Sequence, residues 1–135
     1  MKTVYISYQS IKYLRPCSDQ LRNVRKLFGK RKRMAVTVKR AVALSSQFDF
    51  HWLAQRTLTA SALQAYRAAT APSLRAYIAV RESALQAYNA ATAPAPQAYH
   101  AAEALQAYHA AEAPALQAYE VARASAWAQQ YIKQQ

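Results

Sequence analysis

Apolar residues follow three successive rhythms along the chain. Over 4–14, VYISYQSIKYL, apolar and polar residues alternate and β-branched and aromatic types dominate. That pattern predicts a strand or an irregular arm, punctuated by Pro16. Over 18–28, Leu21, Val24, Leu27 and Phe28 fall at helical spacing, with Arg22, Arg25 and Lys26 on the other faces. This predicts a short basic amphipathic helix, N-capped by Ser18 and closed by a left-handed Gly29. Met34–Leu44, MAVTVKRAVAL, fits either element: Val36, Val38 and Val42 favour a strand, while the alanines and Lys39-Arg40 allow a helix. Ser45–Trp52 reads as a connection carrying bulky anchors.

From about Leu53 the rhythm is helical, with a period of eleven. Tyr66, Tyr77, Tyr88 and Tyr99 are spaced by eleven, Tyr108 follows after nine, and Tyr119 after eleven more. Eleven residues make about three turns and drift only about 20°, so the tyrosines draw one stripe. A leucine stands three residues before each of the first three, on the adjacent row. Leu63, Tyr66, Leu74, Tyr77, Leu85 and Tyr88 are therefore the expected packing or interface residues. The nine-residue step turns Tyr108 away from Tyr99 if the helix is continuous. Successive tyrosines rise about 16 Å apart, too far to stack on consecutive bases, so the stripe suits a partner helix better.

Pro72, Pro94, Pro96 and Pro114 punctuate the repeats. A proline removes a helical hydrogen bond but is tolerated in a first turn, so three or four segments of about twenty residues are expected. The fold class is mainly α: Pro-punctuated 11-residue Ala/Tyr helical repeats, as a kinked rod or a small antiparallel bundle, after a basic N-terminal segment. Near-identical copies such as ALQAYHAAE and ALQAYNAATAP also fit a recent tandem duplication kept because it is helical, a structural repeat without a specific ligand.

Charge divides the chain differently from hydropathy. The net charge is +12 over 135 residues. Residues 1–60 hold thirteen Lys/Arg against Asp19 and Asp49, and residues 61–135 hold five against four glutamates. The expected domains are a basic N-terminal module, 1–56, and a helical repeat region, 57–135. Arg22, Arg25, Lys26, Lys30, Arg31, Lys32, Arg33, Lys39 and Arg40 lie within nineteen residues with no acid among them. Such a tract displaces counterions from a phosphate backbone, independent of sequence. The expected function is a non-enzymatic binding or scaffold protein that contacts nucleic acid or a ribonucleoprotein through phosphates, with the repeat for packing or homo-oligomerisation, or for a helical protein partner. An anionic membrane surface is the alternative, since Leu21, Leu27 and Phe28 give the basic helix an apolar face. Nucleus or nucleoid follows from the first reading. A mitochondrial location is the alternative, because Met1–Ser18 carries Lys2, Lys12 and Arg15 with no acid.

Little in the sequence suggests chemistry. Cys17 is the only cysteine, which precludes an internal disulfide and mildly favours a reducing compartment. One glycine excludes a Gly-rich phosphate loop, and no nucleophile has a local base, so neither an enzyme nor a cofactor is expected. His100 with Glu103, and His109 with Glu112, stand at i and i+3; they read as duplicated surface pairs and not as a metal site. No apolar run reaches membrane-span length. Proline-punctuated pairs of repeats resemble the helices of exchangeable apolipoproteins, and alanine-rich repeats of eleven resemble helical antifreeze proteins. Residues 61–135 lack the broad charged face of the first, and Arg81 and Glu103 interrupt the Thr70–Thr92 row of the second, so neither supplies a function.

Overall fold

The structure, a computed structural model, describes residues 2–93 and 98–135, with side chains for all of these except 98–100. Pro94 and Pro96, and the side chains of Tyr99 and His100, lie outside the described residues. The fold is mainly helical, with a small two-stranded sheet. In order come β1 (Tyr5–Ser7), α1 (Tyr8–Tyr13), α2 (Ser18–Phe28), β2 (Arg33–Ala35), α3 (Val38–Ala43), α4 (Phe50–Thr57), α5 (Ala60–Thr92) and α6 (Ala98–Lys133). Two compact units form: Met1–Ala69 together with Glu120–Gln135, and Thr70–Tyr119. The end of the last repeat thus packs with the basic segment.

In the first unit the alternating stretch is both strand and helix. β1 pairs antiparallel with β2 in the register Tyr5↔Ala35, Ile6↔Met34, Ser7↔Arg33. Ser7 then ends the strand by capping α1, its hydroxyl accepting from Ser10 N at 3.0 Å. Ile6 and Ile11 are buried, so this segment contributes to the core. The ambiguous stretch 34–44 is likewise divided. β2 takes its start, and Thr37 opens α3 by accepting from Arg40 N at 3.1 Å. Two expected caps differ. Cys17, not Ser18, is the N-cap of α2 and makes no side-chain cap bond. Gly29 has φ 54° and ψ −121°, which is not a left-handed helical cap. Those angles are the first corner of a type II′ turn, and Arg31 N donates to Phe28 O at 2.8 Å to close it. A side chain is strained at this corner, so the chain's single glycine sits where it is needed.

The connection 45–52 resolves into a turn and the start of α4. Asp49 caps that helix, accepting from Trp52 N at 3.0 Å. Phe28, Phe50, Leu53, Tyr66 and Trp127 fill the core, each under 5 % exposed. Trp127 packs on Phe50 with centroids 5.3 Å apart and on Tyr131 at 5.1 Å, and donates Nε1–H to Thr57 Oγ1 at 3.0 Å. Burying such side chains contributes about 1.5–3 kcal/mol each. Gln134 closes the unit across the break between α4 and α5. Its Nε2 donates to Thr57 O at 2.7 Å, and its Oε1 accepts from Thr59 N at 2.9 Å. One amide satisfies a helix-end carbonyl and a helix-start N–H together.

In the second unit Tyr77 stacks on Tyr119 at 5.9 Å, and Tyr88 meets Tyr108 edge-on at 6.3 Å. The Tyr77 hydroxyl donates to Glu112 Oε1 at 3.2 Å, and Arg81 Nε donates to Tyr108 OH at 3.3 Å. These contacts run in opposite chain order, so the two helix portions lie antiparallel within the unit. Ala84 and Ala104 are buried beside the tyrosines. The expected segments of about twenty residues are not seen: α5 runs 33 residues through Pro72, and α6 runs 36 through Pro114. An interior proline costs about 3 kcal/mol or more in an isolated helix. Here contacts across the pair begin within five residues of each proline, Tyr77 and Tyr119 among them.

Candidate nucleic-acid interface

Folding sharpens the charge asymmetry. The first unit holds sixteen Lys/Arg against Asp19, Asp49 and Glu120, a formal +13; the second holds two against three glutamates, a formal −1. Within the first unit the three acids gather around one depression with Gln20, Asn23 and Arg123.

All nine cations of the sequence tract are exposed. The fold ties much of that tract together through tyrosines and the short sheet. Arg25 at the end of α2 donates Nε–H to Tyr8 OH at 2.9 Å. Tyr8 N in turn donates to Lys32 O at 3.0 Å. Arg33 stacks over the Tyr5 ring at 4.6 Å. Arg40 donates to the carbonyl of Ala35, the residue that pairs with Tyr5, at 2.8 Å. Arg25, Lys32, Arg33 and Arg40 therefore belong to one contiguous region, and the II′ turn places Lys30 and Arg31 at its tip. Arg22 meets Asp19 at 3.7 Å in an exposed pair, worth about 0–1 kcal/mol. Among the described residues, no carboxylate pairs with Lys26, Lys30, Arg31, Lys32 or Lys39.

Sequence reasoning missed the tyrosines. Tyr5 and Tyr8 hold two arginines in place, and Tyr13 is 87 % exposed beside Lys12 and Arg15. The interleaving of Tyr with Lys and Arg over 5–15 was the available signal. The apolar face of α2 is turned inward: Val24 and Phe28 are buried, and Leu21 and Leu27 are half-buried. Phe28 packs edge-on against Tyr8 at 5.8 Å.

Of the expected packing residues, Tyr66 is fully buried, with its hydroxyl 3.4 Å from His51 Nδ1, and Leu63 packs against the first core. Tyr77 and Tyr88 are half-buried in the antiparallel pair. Leu74 and Leu85 are exposed, at 36 % and 47 %. Burial and the Glu112 carboxylate push the Tyr77 phenol above its usual range, and burial does the same for Tyr131. Beside the first core lies a half-open pocket of about 50 Å³ with mostly apolar walls, too small for a typical ligand. Among the described residues, no helix is long and apolar enough to cross a membrane. The chain matches no protein-family model, no curated protein and no solved structure.

Proposed function

We propose that the chain is a non-enzymatic binding and scaffold protein. Its cationic N-terminal module docks on nucleic acid or a ribonucleoprotein through phosphates, and its Pro-punctuated helical repeat packs or oligomerises. The observation that carries this reading is the exposed, largely carboxylate-free set from Arg22 to Arg40, joined by Tyr5, Tyr8 and the sheet. Fixed cations on a folded surface lose less freedom on contacting phosphates than a mobile tail, and each contact releases condensed counterions. Arg25 and Arg40 each spend part of their donor fork on the fold and keep donors for phosphate, and Arg33 stacks by its face on Tyr5, which leaves its edge donors for phosphate. Lys26, Lys30, Lys32 and Lys39 supply point charges, and Arg31 supplies a whole donor fork. The core position of Phe28 favours a polymer over a bilayer, since inserting that side chain would open the first unit.

Retardation of mixed-sequence DNA and RNA in low salt, with sedimentation of anionic and neutral vesicles in parallel, tests the proposal. Retardation of either polymer supports it. Co-sedimentation with anionic vesicles without retardation would replace it with the membrane-surface reading, and neither response would remove both.

A further inference from the structure

The second unit leaves an apolar face uncovered, and the repeat explains where it lies. With Tyr77 and Tyr88 in the seam, Leu74, Leu85 and Ile78 sit roughly 60–100° further round α5. Leu105 holds the same offset from Tyr108 on α6. Equal offsets on two antiparallel helices turn both rows to the same side of the pair; on parallel helices they would face opposite sides. Leu74, Ile78, Leu85 and Leu105 are 36 %, 43 %, 47 % and 45 % exposed. A single exposed leucine needs no explanation, but a row shared by two helices is a patch. Arg81 and Glu112 border this row on the same side of the seam, one from each helix, held by Tyr108 and Tyr77 respectively.

We propose that this face is a two-fold interface between two copies of the chain, joining two helix pairs into a four-helix arrangement. The proposal rests on reading the repeat as an oligomerisation scaffold. A two-fold interface sets one patch against itself, so the patch must be self-complementary. This one is apolar at Leu74, Ile78, Leu85 and Leu105, carries one positive and one negative group, and includes the exposed His109 in the place on α6 that Ile78 holds on α5. A two-fold axis parallel to the helices lays each α5 over the partner's α6 and keeps residues at the same height. Arg81 lies level with Tyr108 in its own pair, so it meets the partner's α6 within about one turn of the partner's Glu112. The contact occurs twice. The second unit's formal charge of −1 offers little repulsion between copies.

Sedimentation velocity of the full chain across micromolar concentrations tests the interface. The 15.1 kDa chain is expected to sediment at twice that mass. Ile78→Asp is expected to give a monomer with unchanged helicity, while Val80→Asp, about 60° to the other side of the seam, leaves the dimer intact. Arg81→Glu and Glu112→Arg each weaken association about tenfold or more alone, and mixing the two variants restores it because every cross-chain pair is then between opposite charges. A wild-type monomer at all concentrations, a dimer indifferent to Ile78→Asp, or mixed charge variants that fail to recover would each overturn the proposal. Nucleic-acid retardation is scored separately. A dimer that ignores polyanions keeps this interface and loses the binding reading, and a monomer that binds them does the reverse.

Discussion

Tyr66 and Tyr77 occupy the same place in adjacent repeats, yet one is completely buried in a mixed core and the other is half-exposed against a single helix. The two units differ throughout in that way. The first holds Tyr66 in one core cluster with Phe50, Leu53 and Trp127 and carries the positive charge on its outside. The second is two antiparallel helix portions joined by tyrosine pairs and alanines, with Leu74, Leu85 and Leu105 outward. A repeat fixes spacing on a helix, but what the helix meets decides what each position does.

The largest expected effect breaks the first unit and spares the second. Trp127→Ala removes an indole packed on two rings and leaves Thr57 without its donor, a loss of about 3–5 kcal/mol. Thermal melts followed by tryptophan and by helical signal should separate, with the helical signal outlasting the core. Coincident transitions would show that the units unfold as one.

Next comes binding. Replacing Lys30, Arg31 and Lys32 by Gln should weaken DNA and RNA alike and lower the log–log salt slope by about 3, read by anisotropy. The same variant should melt higher in low salt, because it removes like charges crowded at one turn. A smaller effect belongs to the turn itself. A Cβ at Gly29 meets nothing within 4 Å, so Gly29→Ala tests conformation alone and should cost about 1–2 kcal/mol in a denaturant titration.

The smallest effect sits in the second unit. The Tyr77 phenol is raised when folded, so its contribution is fully present below the ordinary tyrosine range. The unfolded phenol ionises first, and stability falls as pH rises through about 10 and beyond. Tyr77→Phe should flatten that alkaline decline while costing about 0.5–1.5 kcal/mol at neutral pH through the lost bond to Glu112.

Periodicity made the helical class and the tyrosine seam legible, and composition made the cationic tract legible. Other features depended on contacts distant in sequence. Residues 4–14 became strand and helix because β2 lay ready to pair with Tyr5–Ser7 and Ser7 could cap what followed. Gly29 was recognisable as a positive-φ position, but only the bond from Arg31 to Phe28 distinguishes its turn from a helix cap. The prolines misled as helix breaks because local propensity says nothing of the pairing around Pro72 and Pro114. Leu74 and Leu85 were expected to pack with the tyrosines, and the seam took Ala84 and Ala104 instead, since small side chains let the helices approach.

The salt dependence of nucleic-acid affinity separates a phosphate-binding surface from a merely solvated run of charge. Association constants for one duplex, measured from about 50 to 200 mM salt, should fall on a log–log line of slope about −5 if six of the nine cations meet phosphates. A slope near zero, or no association at the lowest salt, would contradict the account.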